Sequence, residues 1–167
     1  NMFVNPTWDS ALEIRPTDTY YATKDVQVGH SGVIGWLYIN GAVTLKSLYV
    51  FRGTVTHDAN TTAKTNFIEL NVLENLRLHD GNAVIDVAGK GYTAGNGPGA
   101  GSANNAGGTY GGYGGLWADG TNGGPVYGNV YDPTDLGSGG HAGTPGGGSV
   151  KLIVGGSLTN NGTITAT

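Results

Sequence analysis

The chain has no cysteine, so disulfide cross-links, thiolate metal sites and thiol nucleophiles are excluded together, while the redox compartment stays open. Charge is scarce as well, at 12% of residues against roughly 25% in ordinary globular chains. The eight Lys and Arg are scattered and outnumbered by twelve Asp and Glu, too few for a basic stripe that neutralises phosphates. Nucleic acid and anionic membrane surfaces are therefore excluded as partners. Apolar runs stop near five residues, far short of the ~20 a membrane-spanning helix needs, and no membrane insertion is expected. Helical periodicity is nearly absent too, and Trp8–Ile14 is the one weak candidate. The chain opens on Asn1 without the charged head and apolar stretch of a secretion signal, and reads as processed or excised.

Glycine is what the chain has in excess. Of 32 glycines in 167 residues, 23 fall between Gly89 and Gly148 and six lie before residue 89. The length suits one medium domain. Residues 1–35 read as an irregular N-terminal extension that supplies a partner-contacting strand segment. Residues 36–167 read as the main domain, interrupted by a Gly-rich insertion at about 90–147.

The remaining signal has period two. Ile68, Leu70 and Val72 alternate, Leu76 and Leu78 follow, Asp80-Gly81 forms a corner, and Ala83, Ile85 and Val87 alternate again. Val150, Leu152, Val154, Leu158, the corner Asn161-Gly162, Ile164 and Ala166 repeat the plan, offset by 82 residues before the corner and 81 after it. A fainter copy runs through Leu37, Ile39, Asn40-Gly41, Val43, Leu45, Leu48 and Val50. Short strands with corners, recurring at multiples of about twenty residues, predict an all-β, right-handed parallel β-helix-like solenoid. The same Asn-Gly and Asp-Gly pairs also make hairpins, so a β-sandwich is the alternative.

The tract holds Gly107-Gly108-Thr109-Tyr110-Gly111-Gly112-Tyr113-Gly114-Gly115, Asp132-Pro133-Thr134-Asp135-Leu136-Gly137-Ser138-Gly139-Gly140 and Thr144-Pro145-Gly146-Gly147-Gly148. Its aromatic residues supply apolar area that a flexible linker has no use for, so it is expected to be ordered. With Ile85-Asp86-Val87-Ala88-Gly89-Lys90-Gly91-Tyr92 before it and Ser149-Val150-Lys151-Leu152-Ile153-Val154 after it, the chain from about residue 66 to 167 resembles the Gly-rich β-helical modules of large bacterial and archaeal cell-surface, adhesin-like proteins. The resemblance implies an extracellular or cell-surface location and a structural role, and brings no catalytic residues.

Chemistry finds little to work with. Arg52, Asp58, Glu69, Glu74, Arg77, Asp80 and Asp86 are the residues an acid/base site would draw on. Glu69 and Glu74 have the parity of a solvated strand face, and the chain reads as no enzyme. His57-Asp58 and His79-Asp80 occupy corner-like positions that stacking would bring together, but they read as a surface ladder. No metal site and no cofactor is expected. Asn60-Thr61-Thr62 and Asn161-Gly162-Thr163 match the glycosylation sequon.

The expected function is a surface adhesin module or a self-assembling fibre subunit joined by strand addition into a head-to-tail homo-oligomer or filament. Its contacts would come from Phe3, Val4, Trp8, Leu12 and Ile14 at one end, and from Leu158 and Ile164 at the other. The alternative is a carbohydrate-binding module that engages surface glycans through Tyr110, Tyr113, Trp117, Tyr127 and Tyr131.

Overall fold

A computed structural model describes residues 2–4 (backbone only), 11–101, 106–115, 123–141 and 143–167. In chain order the strands are β1 (Met2–Val4), β2 (Leu12–Ile14), β3 (Asp25–Val28), β4 (Gly35–Ile39), β5 (Gly41–Leu45), β6 (Ser47–Val50), β7 (Gly53–Thr56), β8 (Ile68–Val72), β9 (Leu76–Leu78), β10 (Ala83–Asp86), β11 (Val150–Val154), β12 (Leu158–Asn160) and β13 (Thr163–Thr165). A single 3-10 turn, Thr19–Thr23, lies between β2 and β3. The weak helix candidate Trp8–Ile14 is a strand over its described part, β2. The protein is all-β.

Among the described residues three sheets form, with strand orders β1-β3-β6-β9-β12, β2-β4-β7-β10-β13 and β5-β8-β11. Every strand pair is parallel. From β3 onward the chain visits the first, second and third sheet in turn. The Asn-Gly and Asp-Gly corners thus make no hairpin. Asn40 alone separates β4 from β5, and Gly41 takes up the left-handed φ of 114° that this corner demands.

Alternation along β3 to β10 sends every second side chain inward. Val26, Val28, Leu48, Val50, Leu76 and Leu78 bury the first sheet's face; Leu37, Ile39, Val55 and Ile85 bury the second's; Leu45, Leu70 and Val72 bury the third's. Each such burial stabilises by about 1.5–3 kcal/mol. Register slips are costly because one residue would turn all of them outward.

The 82-residue offset is realised where Leu70 faces Leu152 and Leu76 faces Leu158. After the corner it fails, because Ile85 faces Ile164 and not Ala166. The connection after β12 is shorter than the one after β9, so Asp80-Gly81 and Asn161-Gly162 are not equivalent turns. Neither Gly81 nor Gly162 is left-handed; Gly162 is required instead by close approach, since a Cβ there would lie 2.1 Å from the Ala83 carbonyl oxygen. The fainter copy is also out of phase, because Asn40-Gly41 joins the second and third sheets whereas Asp80-Gly81 joins the first and second.

The chain divides into two compact units: one of residues 1–58, 67–86 and 150–165, the other of 59–66, 87–149 and 166–167. Residues 1–35 are no separate extension, since β1, β2 and β3 belong to the sheets of the first unit. In the second unit the described glycine segments bond backbone to backbone. Gly91 N–H donates to Gly146 O, Gly146 N–H to Tyr92 O, Gly137 N–H to Gly147 O and Gly139 N–H to Asn96 O, at 2.7–3.0 Å. Side chains would break this packing: a Cβ on Gly146 would sit 1.9 Å from the Gly137 carbonyl oxygen. Val87, Ala106 and Leu136 are buried apolar side chains of this unit.

Candidate association surface

Each sheet has two outer strands, and at one end these are β11, β12 and β13. The sequence VKLIV, LTN, TIT gives this edge one charged residue, Lys151, and no proline. Such an edge presents backbone donors and acceptors with little to repel another strand. Its inward-facing residues are in register with fully buried ones one strand away: Leu158 with Leu76, and Ile164 with Ile85. Leu76 and Ile85 are 0% exposed, whereas Leu158 is 49% and Ile164 39% exposed. Leu152, opposite buried Leu70, is half-buried. The core of the first unit is left uncovered at this edge.

At the opposite end the outer strands are β1 and β2, with the third sheet ending on β5. Phe3 and Val4 lie on β1, paired with Gln27 and Val28 of β3 in the same chain; their side chains, like the whole of Trp8, lie outside the described residues. Leu12 is half-buried and Ile14 fully buried on β2. The N-terminal segment is therefore no free arm, and Ile14 is a core residue, spent on its own chain's apolar interior.

The tract aromatics fall apart into two classes. Tyr110 and Tyr127 are half-buried and meet edge to face, with centroids 5.0 Å apart and planes at 85°. The Tyr127 hydroxyl donates to the Leu136 carbonyl and accepts from Ser138 Oγ at 2.8 Å. Burial raises the pKa of Tyr92, Tyr110 and Tyr127 above the ordinary phenol value. Tyr113 and Tyr131 are 73% and 94% exposed, and Trp117 lies outside the described residues.

The charged candidates are spread out. Asn40 gathers two of the acids, donating to Glu13 Oε1 at 3.0 Å and Asp58 Oδ2 at 2.7 Å. Hydrogen bonds from Arg15, then from Asn40, hold the Glu13 carboxyl below its usual range. His57 follows β7 and His79 follows β9, so the two His-Asp pairs stand at different corners and do not meet. Among the described residues no group of three or more His, Asp or Glu is placed to hold a metal ion.

Asn60 escaped the sequence reading except as a sequon. Buried, it accepts from the Thr65 and Asn66 N–H groups, both at 2.8 Å, and donates to Asn66 O and Lys90 O at 2.8 and 2.9 Å. Its amide nitrogen is thus consumed within the fold, whereas Asn161 is exposed. No local pattern marks such a hub, because Lys90 lies 30 residues away. The chain matches no protein-family model, no curated protein and no solved structure at significant similarity.

Proposed function

We propose that this chain is a non-enzymatic structural module of an extracellular or cell-surface assembly, a right-handed, three-sided parallel β-helix with a Gly-rich insertion that adds to a second copy head to tail. The cyclic visiting of three parallel sheets supports the architecture, since parallel crossovers are almost always right-handed. One observation carries the association: Leu158 and Ile164 are exposed where their in-register neighbours Leu76 and Ile85 are fully buried.

A second copy suits this edge because β1 and β2 run in the directions that would continue the first and second sheets past β12 and β13. Completing the burial of Leu152, Leu158 and Ile164 contributes roughly 1 kcal/mol each. That sum does not offset the cost of association, at least about 4 kcal/mol. Backbone pairing along β12 and β13 has to supply the rest, so the contact is weak and concentration-dependent. Light scattering over a concentration series tests it: the mass rises with concentration, and Leu158→Lys, on an exposed position, returns the chain to a monomer. A monomer at all concentrations, or association indifferent to Leu158→Lys, refutes the proposal. For the tract aromatics, the carbohydrate reading rests, among the described residues, on the exposed rings of Tyr113 and Tyr131.

A further inference from the structure

The outer face of the first sheet carries a groove of about 360 Å³ across β3, β6 and β9. Strand register builds it. Val26, Leu48 and Leu76 point inward in one row, and Val28, Val50 and Leu78 in the next. Gln27, Tyr49 and Arg77, the residues between, are in register with one another and form an outward row. Asp25, Ser47 and Asn75, just before the first inward row, form a second. Strands ~4.8 Å apart and rows ~6.6 Å apart make a surface about one to two sugar rings across.

The side chains there divide into committed and open groups. Asp25 is held by Lys46 at 3.2 Å, and Ser47 Oγ donates to Glu74. Gln27 donates its amide to Gly29 O, which leaves its side-chain carbonyl as an acceptor. Asn75 Oδ1 accepts from Ser157 N–H and Oγ, which leaves its NH₂ group as a donor. Tyr49 is fixed by a 3.0 Å hydrogen bond between its hydroxyl and His79 Nδ1 and by edge-on contact with Phe51, whose ring stacks on His79 at 4.4 Å. The Arg77 guanidinium lies 5.4 Å from the centre of the Tyr49 ring, and no carboxylate among the described residues pairs with it.

We propose that this groove binds an acidic saccharide, its carboxylate taken by Arg77 and its hydroxyls by the Asn75 amide and the Gln27 carbonyl. The guanidinium presents a planar fork of donors, the geometry a carboxylate fits bidentately. A peptide adding as a strand is disfavoured, because β3, β6 and β9 each have a neighbour on both sides and offer no main-chain edge. A polyanion such as nucleic acid is disfavoured because Arg77 is the one cation among the described residues lining the groove and the net charge is −4.

Calorimetric titration of the full chain with trigalacturonic acid, against neutral maltotriose, tests the assignment, and it is independent of self-association. Saturable binding of the acidic probe is expected, weakened about tenfold or more by Arg77→Gln and by added salt, with maltotriose failing to bind. Arg52→Gln, a control on the second sheet's side of the corner, leaves affinity unchanged. Any of three results overturns the proposal: no binding at millimolar probe, equal binding of maltotriose, or affinity indifferent to Arg77→Gln in a chain whose circular dichroism is unaltered.

Discussion

Asn60→Ala removes a side chain that four backbone groups of the second unit depend on. The Thr65 and Asn66 N–H groups lose their acceptor, and Asn66 O and Lys90 O lose a donor. Each such bond contributes about 1 kcal/mol net, and a buried group left unpaired costs about 1–3 kcal/mol. Thr65 is exposed and Asn66 half-buried, so water reaches the 65–66 side and softens that half of the loss. The Lys90 carbonyl keeps the Asn60 backbone N–H at 3.2 Å, which softens the other. The expected destabilisation of the second unit is about 3 kcal/mol. Asn60→Asp does not rescue it, because the donor is replaced by an oxygen facing two carbonyl oxygens. Hydrogen exchange is the assay: amides of Gly91, Tyr92 and Thr93 exchange about a hundredfold faster in Asn60→Ala, while those of β8 and β9 keep their protection. Protection changed by less than threefold at Gly91–Thr93 refutes the reasoning.

Other perturbations separate the roles assigned to particular residues. Gly53→Ala, at φ 140° with a Cβ only 2.0 Å from Gly35 O, costs about 3 kcal/mol or more in denaturant unfolding; Gly81→Ala, which meets nothing within 4 Å, costs less than about 0.5 kcal/mol. Leu136→Ala opens a cavity in the second unit and costs about 2–5 kcal/mol by the same measurement. Burial raises the folded-state pKa of Tyr127, so its contribution is intact below the unfolded phenol value of about 10 and is lost as pH rises through the higher folded value. Phenolate absorbance during an alkaline titration then lags behind free tyrosine and rises with unfolding.

The strands were legible because their burial is one-sided: Ile68, Leu70, Val72, Leu76, Leu78, Ala83 and Ile85 alternate in sequence and are buried in the fold. The pairing of β8 with β11 and of β9 with β12 was legible too, because one constant offset covers both. Corner lengths were not. Phe51-Arg52 connects β6 to β7, residues 79–82 connect β9 to β10, and Asn161-Gly162 connects β12 to β13, and nothing in an Asx-Gly pair says how many residues a corner takes or which sheets it joins. For the same reason the outward row Gln27, Tyr49 and Arg77 was invisible, since its members are 22 and 28 residues apart and meet only through register. The pairing of the N-terminal strands with their own chain was not legible, because β1 and β2 are three residues long, too short for alternation to show.

Head-to-tail addition places specific residues against each other, and the absence of cysteine makes the placement measurable. Strand register in the first sheet aligns the backbone positions Phe3, Gln27, Tyr49, Arg77 and Thr159. Continuing it by one strand sets Phe3 of a second copy beside Thr159, at the ~4.8 Å strand spacing that a disulfide accommodates. Mixing a Phe3→Cys chain with a Thr159→Cys chain under mild oxidation predicts a mixed disulfide dimer as the main product, suppressed by adding Leu158→Lys to the second chain. Thr159→Cys homodimers in excess of the mixed species, or no cross-link above that of a cysteine placed at exposed Thr61, would contradict head-to-tail strand addition.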